Sequence, residues 1–214
     1  MIIRDVMTKN PICVTENTSV TEAKRIMTEN KISKLPVLNS SKKLVGIITK
    51  NDIVKVSPSE ATTLDMYEIS SLLNKLTCQK FMTKKVVTVG EDEIVEQAAR
   101  IMDDNNIGCL PVVKDDIVVG IVTESDLFEL FVQMFGARES GVRANVVFDD
   151  KPGILAKVMA AFAEKNGNII SVVTRESKDA GKRRVTIKVD GVALDTVKQI
   201  LEASDGQIID VRNV

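Results

Sequence analysis

The chain contains no histidine among its 214 residues. That absence closes Ser-His-Asp and Cys-His catalysis, histidine-ligated metal sites and the commonest general base. Tryptophan is missing too and Tyr67 is the one tyrosine, so base-stacking platforms for nucleic acid have little to be built from. Three cysteines, Cys13, Cys78 and Cys109, stand far apart with no CxxC pair. They read as small core hydrophobes in a reducing compartment. No Gly-x-Gly-x-x-Gly or Walker A loop occurs, and Gly181-Lys182 lacks the upstream glycine at the required spacing. No apolar run reaches the ~18 residues a membrane span needs, and Met1–Asp5 carries no signal-peptide core. The expectation is a cytoplasmic protein without a membrane partner. Lys and Arg number 29 against 30 Asp and Glu, a net charge of −1, so nucleic acid is not expected as a partner either. The one basic triplet, Lys182-Arg183-Arg184, reads as a solvated hairpin rim.

What the chain does have is a repeat. Val6-Met7-Thr8-Lys9 returns as Phe81-Met82-Thr83-Lys84, 75 positions on, and Lys34-Leu35-Pro36-Val37 returns as Cys109-Leu110-Pro111-Val112 at the same offset. Gly46-Ile47-Ile48-Thr49-Lys50-Asn51-Asp52 returns as Gly120-Ile121-Val122-Thr123-Glu124-Ser125-Asp126, 74 positions on. Nearly half of the positions from Met7 to Val37 are identical at the longer shift. Two copies of one unit imply a pseudo-two-fold module, with a ligand cleft between the copies. Each copy reads β-α-β-β-α. A β-rich stretch (Pro11 to Thr15; Val86 to Val89) precedes a helix with Val20, Ala23, Ile26 and Met27, or Val95, Ala98, Ile101 and Met102, on one face. Ser19, and Asp92 or Glu93, stand where caps or first-turn acids belong. The copies span 1–56 and 80–135. Between them, 57–79 reads as a linker helix, with Leu64, Tyr67, Leu72, Leu73 and Leu76 at roughly helical spacing.

A third unit, 141–214, follows the polar stretch Gly136–Gly141. Val142–Phe148 reads as a strand, and Pro152-Gly153 opens a helix with Leu155, Val158, Met159 and Phe162 on one face. Pro152 is expected at its first position behind an Asp150 cap, and Gly167 as its C-cap. Two strands around a hairpin, a helix and a last strand complete β-α-β-β-α-β, the ferredoxin-like arrangement. The fold class is therefore α+β.

The repeats resemble CBS domains, a tandem pair of which forms a Bateman module. The resemblance rests on Met7-Thr8 with Met82-Thr83, Leu35-Pro36-Val37 with Leu110-Pro111-Val112, and the two Gly-h-h-Thr-x-x-Asp runs. The last unit resembles an ACT domain through Asp150-Lys151-Pro152-Gly153-Ile154-Leu155 and Gly167-Asn168-Ile169. A CBS pair followed by ACT is similar to the acetoin-utilisation-type regulatory proteins of bacteria.

The resemblance implies a non-catalytic regulator, a homodimer, acting on a partner enzyme and binding AMP, ADP, ATP or S-adenosylmethionine as a regulatory ligand rather than a cofactor. It places Asp52 and Asp126 on ribose hydroxyls and Thr49 and Thr123 near phosphate. It places adenine between walls at Ile12, Val14, Leu35 and Pro36 with Val87, Val89, Leu110 and Pro111. Thr-x-x-Asp at a helix start is equally a capping box. Lys34 and Lys50 belong to the first copy where the second has Cys109 and Glu124, so the first-copy site is expected to hold phosphate more tightly. In the third unit Asp150, Pro152, Gly153, Ile154, Leu155, Asn168 and Ile169 match the positions that hold an amino acid in ligand-binding ACT relatives; dimer contact is the other role open to that unit. A scaffold with degenerate clefts is the alternative function. An enzyme built on Asp52 and Asp126 lacks a nucleophile, a histidine or a metal cluster.

Overall fold

A computed structural model describes residues 1–56 and 65–214, so Ser57–Leu64 of the expected linker helix and the side chain of Tyr67 lie outside the described residues. The chain divides into two compact units, Met1–Leu127 and Phe128–Val214.

The first unit opens with α1 (Ile3–Val6) and β1 (Thr8–Lys9). The first copy continues as β2 (Val14–Thr15), α2 (Val20–Glu29), β3 (Lys34–Leu38), β4 (Leu44–Thr49) and α3 (Lys50–Val56). After α4 (Met66–Lys75) and α5 (Cys78–Phe81) comes the second copy: β5 (Val89–Gly90), α6 (Val95–Asp104), β6 (Cys109–Lys114), β7 (Ile117–Thr123) and α7 (Glu124–Met134). In each copy a parallel pair (β2 with β3, β5 with β6) is joined by its helix, and an antiparallel hairpin follows. The apolar stripes become core: Val20, Ala23 and Met27 in α2, and Val95, Ala98 and Met102 in α6, are buried. Ser19 caps α2 by accepting the Glu22 N–H at 3.2 Å. The expected acid cap of α6 is not formed, because its N-cap residue is Ile94. Asp92 is instead paired with Arg4, and Glu93 takes the N–H of Ile94.

The two copies exchange their leading segments. β1 pairs antiparallel with β7, Thr8 opposite Ile121, so the start of the chain joins the sheet of the second copy in the order β1-β7-β6-β5. Thr83 and Ile47 exchange two backbone bonds of 3.0 Å, so the lead of the second copy joins β4 of the first. Ile3 N–H donates to Glu93 O and Val95 N–H to Met1 O, while Cys78 N–H donates to Thr18 O and Val20 N–H to Leu76 O. The Met-Thr repeat is the contact point of this exchange. A Cβ on Gly46 would overlap Met82 Sδ, and one on Gly120 would overlap Met7 Sδ.

The second unit is one antiparallel sheet with two helices: β8 (Val142–Asp149), α8 (Ile154–Glu164), β9 (Asn168–Glu176), β10 (Lys182–Asp190), α9 (Leu194–Glu202) and β11 (Gln207–Asn213). The strand order β11-β8-β10-β9 is that of the ferredoxin-like fold. Val146, Val158, Phe162, Ile187, Val197 and Leu201 are fully enclosed in its core. Two expectations about α8 are corrected. Its N-cap is Gly153 at φ +89 with no side-chain cap, so Pro152 lies before the helix and Asp150 does not cap it. At its other end the left-handed residue is Asn166 (φ +58), while Gly167 N–H closes on Phe162 O at 2.8 Å, a Schellman turn. Gly167 is needed for close approach, since a Cβ there would stand 2.6 Å from Val192. On β10, Lys188 is 4% exposed and its ammonium donates to the carbonyls of Gly136 and Glu139. That buried cation fixes the polar stretch that precedes β8.

Candidate functional site

Two cavities lie between the copies in the first unit. One, of about 420 Å³, is lined by Thr49 and Ile47 from the first copy, Thr83, Lys85, Val86 and Val87 from the lead of the second, and Asn106, Ile107, Gly108 and Cys109 after α6, with Ser33, Lys34, Asn51 and Glu124. The other, of about 300 Å³, is lined by Thr123, Ile121 and Ser125 from the second copy, Thr8, Asn10, Pro11 and Ile12 from the first lead, and Lys31, Ile32, Ser33 and Lys34 after α2. The two are related by the repeat: Ile12 corresponds to Val87, Lys31 to Asn106 and Thr49 to Thr123. Each joins the hairpin end of one copy to the lead of the other, so the exchange of leads builds both.

The expected site residues divide accordingly. Thr49, Thr123, Ile12, Val87 and Lys34 line the cavities, Lys34 facing both. Leu35, Leu110, Val14 and Val89, with Pro36 and Pro111, are buried in the sheets and do not line either one. Alternation along β3 and β6 is lost because both strands pack on two sides. Asp52 and Asp126 stand in the first turn of their helices, behind the threonines, and line neither cavity. Asp52 Oδ2 accepts from Thr49 N–H at 2.9 Å and Thr49 Oγ1 at 2.7 Å, and Asp126 Oδ2 does the same for Thr123 at 2.7 and 2.8 Å. The reciprocal capping box closes in the first copy, where Asp52 N–H donates back to Thr49 Oγ1 at 3.3 Å, and the second copy forms its carboxylate half, each through one oxygen of the carboxylate. Nor are the first helical N–H groups free for a phosphate: Lys50 N–H donates to Ser33 O and Glu124 N–H to Gly108 O. Lys50 itself is exposed and off both cavity walls, whereas Glu124 lies on the Thr49 cavity with a carboxylate oxygen 2.5 Å from where a Gly108 Cβ would be. Burial pushes the Cys109 thiol up to about 11, with Lys34 drawing it down and Glu124 raising it, so both charges flank this wall.

In the second unit Asp150 is committed to Arg183, whose Nε and Nη2 donate to its two oxygens at 3.0 and 2.9 Å. That contact holds its carboxyl below the usual range. It also takes Arg183 out of the solvated triplet, as Arg184 Nε is taken by Asn145 Oδ1. Ile154, Leu155 and Ile169 pack against the core, Pro152 and Gly153 are exposed, and Asn168 starts β9 opposite Asp190. Sequence reasoning overlooked Lys31, Asn106, Thr8 and Thr83 as wall residues, and it set Glu124 at the second copy's site, whereas it lines the Thr49 cavity. The signal lay partly where the copies differ, at 31 and 106, and partly in the shared Met-Thr pair.

Among the described residues no helix is long and apolar enough to cross a membrane. The family model of the CBS domain matches residues 3–59 and 78–133, and that of the TTHA0829-like ACT domain matches residues 140–212. The solved CBS domain pair of protein MJ0100, in complex with 5′-methylthioadenosine and S-adenosyl-L-methionine, is 36% identical over 65% of this chain and 98% of that one, with a TM-score of 0.52. A Vibrio cholerae structure described as an acetoin utilization protein (AcuB) is 28% identical, covering 64% and 95%, at 0.54. CBSX2 in complex with AMP is 28% identical, covering 62% and 96%, at 0.51. The L-aspartate semialdehyde sulfurtransferase of Methanocaldococcus jannaschii is 38% identical over 131 residues, 61% of this chain, yet the chain spans only 23% of that enzyme's length.

Proposed function

The chain belongs to the CBS-domain family, as a tandem pair followed by an ACT domain, and on that premise we propose that it is a non-catalytic cytoplasmic regulator that binds an adenosine compound between its two repeats. The observation that carries the reading is the pair of repeat-related cavities, each walled by both copies and each bearing a threonine at a strand end with apolar residues opposite. The complexes of the MJ0100 pair and of CBSX2 support adenosine compounds as the ligand class. Occupancy would favour the arrangement of the copies that binds it better, by no more than its differential affinity. The likeness to the Vibrio cholerae protein supports a partner enzyme in acetoin utilisation as the target. The ACT domain is assigned to dimerisation or amino-acid sensing, through the segments at Asp150 and Asn168. A scaffold role has one observation in its favour: Phe128, Phe131 and Met134 on α7 are 70%, 55% and 58% exposed. That apolar face also suits a homodimer.

The test is calorimetric titration of the purified chain with AMP, ADP, ATP and S-adenosylmethionine, repeated with Asp52→Ala and Asp126→Ala after each variant is shown to melt cooperatively. Binding that one or both substitutions weaken roughly ten-fold or more, the size of a lost charge-assisted bond, supports the sensor. Absence of heat with all four ligands, beside a dimer in light scattering, replaces it with the scaffold.

A further inference from the structure

We infer that the two cavities are charge-selective, the Thr123 cavity taking a phosphorylated adenine nucleotide and the Thr49 cavity an adenosine compound without phosphate. The inference rests on the proposed sensor function and reverses the assignment expected from sequence, which gave Lys34 and Lys50 to the Thr49 site. Lys34 lines both cavities and so discriminates between neither, and Lys50 lines neither. What differs is the rest of each wall. The Thr123 cavity adds Lys31 and has no carboxylate among its lining residues. The Thr49 cavity adds Lys85 and Glu124, which offset one another, and has Asn106 where the other has Lys31. A phosphate gains from each added cation and is repelled by a carboxylate. A thioether nucleoside carries no charge for Glu124 to repel, and a sulfonium one is attracted by it.

The backbone adds an independent observation. Lys31 and Asn106 both follow their helices in the left-handed region, at φ +54 and +51. Asparagine adopts that conformation readily and lysine does not. Copy two carries the residue the turn favours. Copy one carries a lysine in spite of the turn, at a position that lines the cavity together with Thr8 and Asn10.

The experiment titrates the full chain with AMP and with 5′-methylthioadenosine. Ile12→Trp and Val87→Trp fill the Thr123 and Thr49 cavities respectively from corresponding wall positions, which are 40% and 36% exposed and so admit a large side chain without disturbing the core. Ile12→Trp is expected to abolish AMP binding and spare methylthioadenosine, and Val87→Trp to do the reverse. Lys31→Asn, which relaxes the turn rather than straining it, is expected to weaken AMP roughly ten-fold and leave methylthioadenosine unchanged. Pairing it with Asn106→Lys and Glu124→Gln is expected to move AMP binding to the cavity that Val87→Trp blocks. Loss of AMP in Val87→Trp, loss of either ligand in both blocking variants or in neither, or an equal effect of Lys31→Asn on the two ligands overturns the assignment while leaving the sensor intact. Failure of both ligands to bind the unaltered chain while ATP or S-adenosylmethionine binds overturns the assignment, and failure of AMP, ADP, ATP, S-adenosylmethionine and 5′-methylthioadenosine alike overturns the sensor itself.

Discussion

Gly46 and Gly120 show how one side chain's absence serves another copy's presence. Gly46 has no left-handed backbone to explain it, so its need for a bare Cα is steric: Met82 Cγ would lie 2.7 Å from an added Cβ, and Met82 Cβ 3.2 Å. Gly46→Ala is therefore expected to destabilise the first unit by about 1–3 kcal/mol through overpacking. Met82→Ala, at a position 8% exposed, is expected to cost about 2–5 kcal/mol by leaving a cavity. The double variant should cost clearly less than the sum, since the alanine methyl then occupies space the methionine vacated. A urea-unfolding cycle reads this directly, and additivity within about 0.5 kcal/mol would sink the explanation. In the sequence, Gly46, Thr49 and Asp52 form one run with a single apparent purpose. The structure separates them: the glycine receives a methionine, the aspartate caps, and the threonine borders a cavity. Spacing revealed the cap, because a cap is local. It was silent about Met82, whose partner lies 36 residues away.

The elements themselves were legible wherever their cause is local. The 3.6-residue stripes of α2, α6, α8 and α9 and the short apolar runs of β3, β4, β6 and β7 needed only their own residues. The exchange of α1 and β1 onto the second copy was not legible, because two leads that share the same Met-Thr-Lys run are compatible with either pairing. What holds α1 there is backbone bonding to 91–95 and a charge cluster in which Glu91 meets Lys114 Nζ at 2.6 Å and Arg4 Nη2 at 3.3 Å. The Lys114 bond is the first cause that lowers the Glu91 carboxyl below its ordinary 4.5, with Arg4 adding to it. A carboxyl depressed in the folded state contributes stability that is present above the unfolded value and lost as pH falls through the folded one. Docking of α1 is thus expected to loosen below about pH 4.5. The protection factors of the Ile3 and Arg4 amides, each exchange rate taken relative to the intrinsic rate at the same pH, should fall there in the parent. They should fall less in Lys114→Met, which removes the main cause of the shift. Parallel curves for the two proteins would show that Glu91 does not govern the docking.

Taken across the molecule, repeat and exchange have one consequence for how a ligand acts. Because each cavity wall contains residues of both copies and of one exchanged lead, no ligand in either cavity touches one copy alone. The sequence made two copies and a cleft legible from motif identity. It could not give the composition of the walls, which depends on which lead crosses where. The ACT domain has its own core of β8, β10, α8 and α9 and shares no residue with either cavity wall. A saturating adenosine compound is therefore expected to stabilise the CBS pair as a whole, by about 2.7 kcal/mol at a hundred-fold excess over Kd. Hydrogen exchange can locate that gain. The amides of Ile47 and Thr83, which bond one lead to the first copy, and of Asn10, which bonds the other lead to Val119 O at 3.1 Å, should slow together. Amides of the sheet from β8 to β11 should keep their rates. Slowing confined to Ile47 and Thr83, with Asn10 unchanged, would mean that a ligand fastens one copy only, and the exchanged leads would then have no part in transmitting its binding.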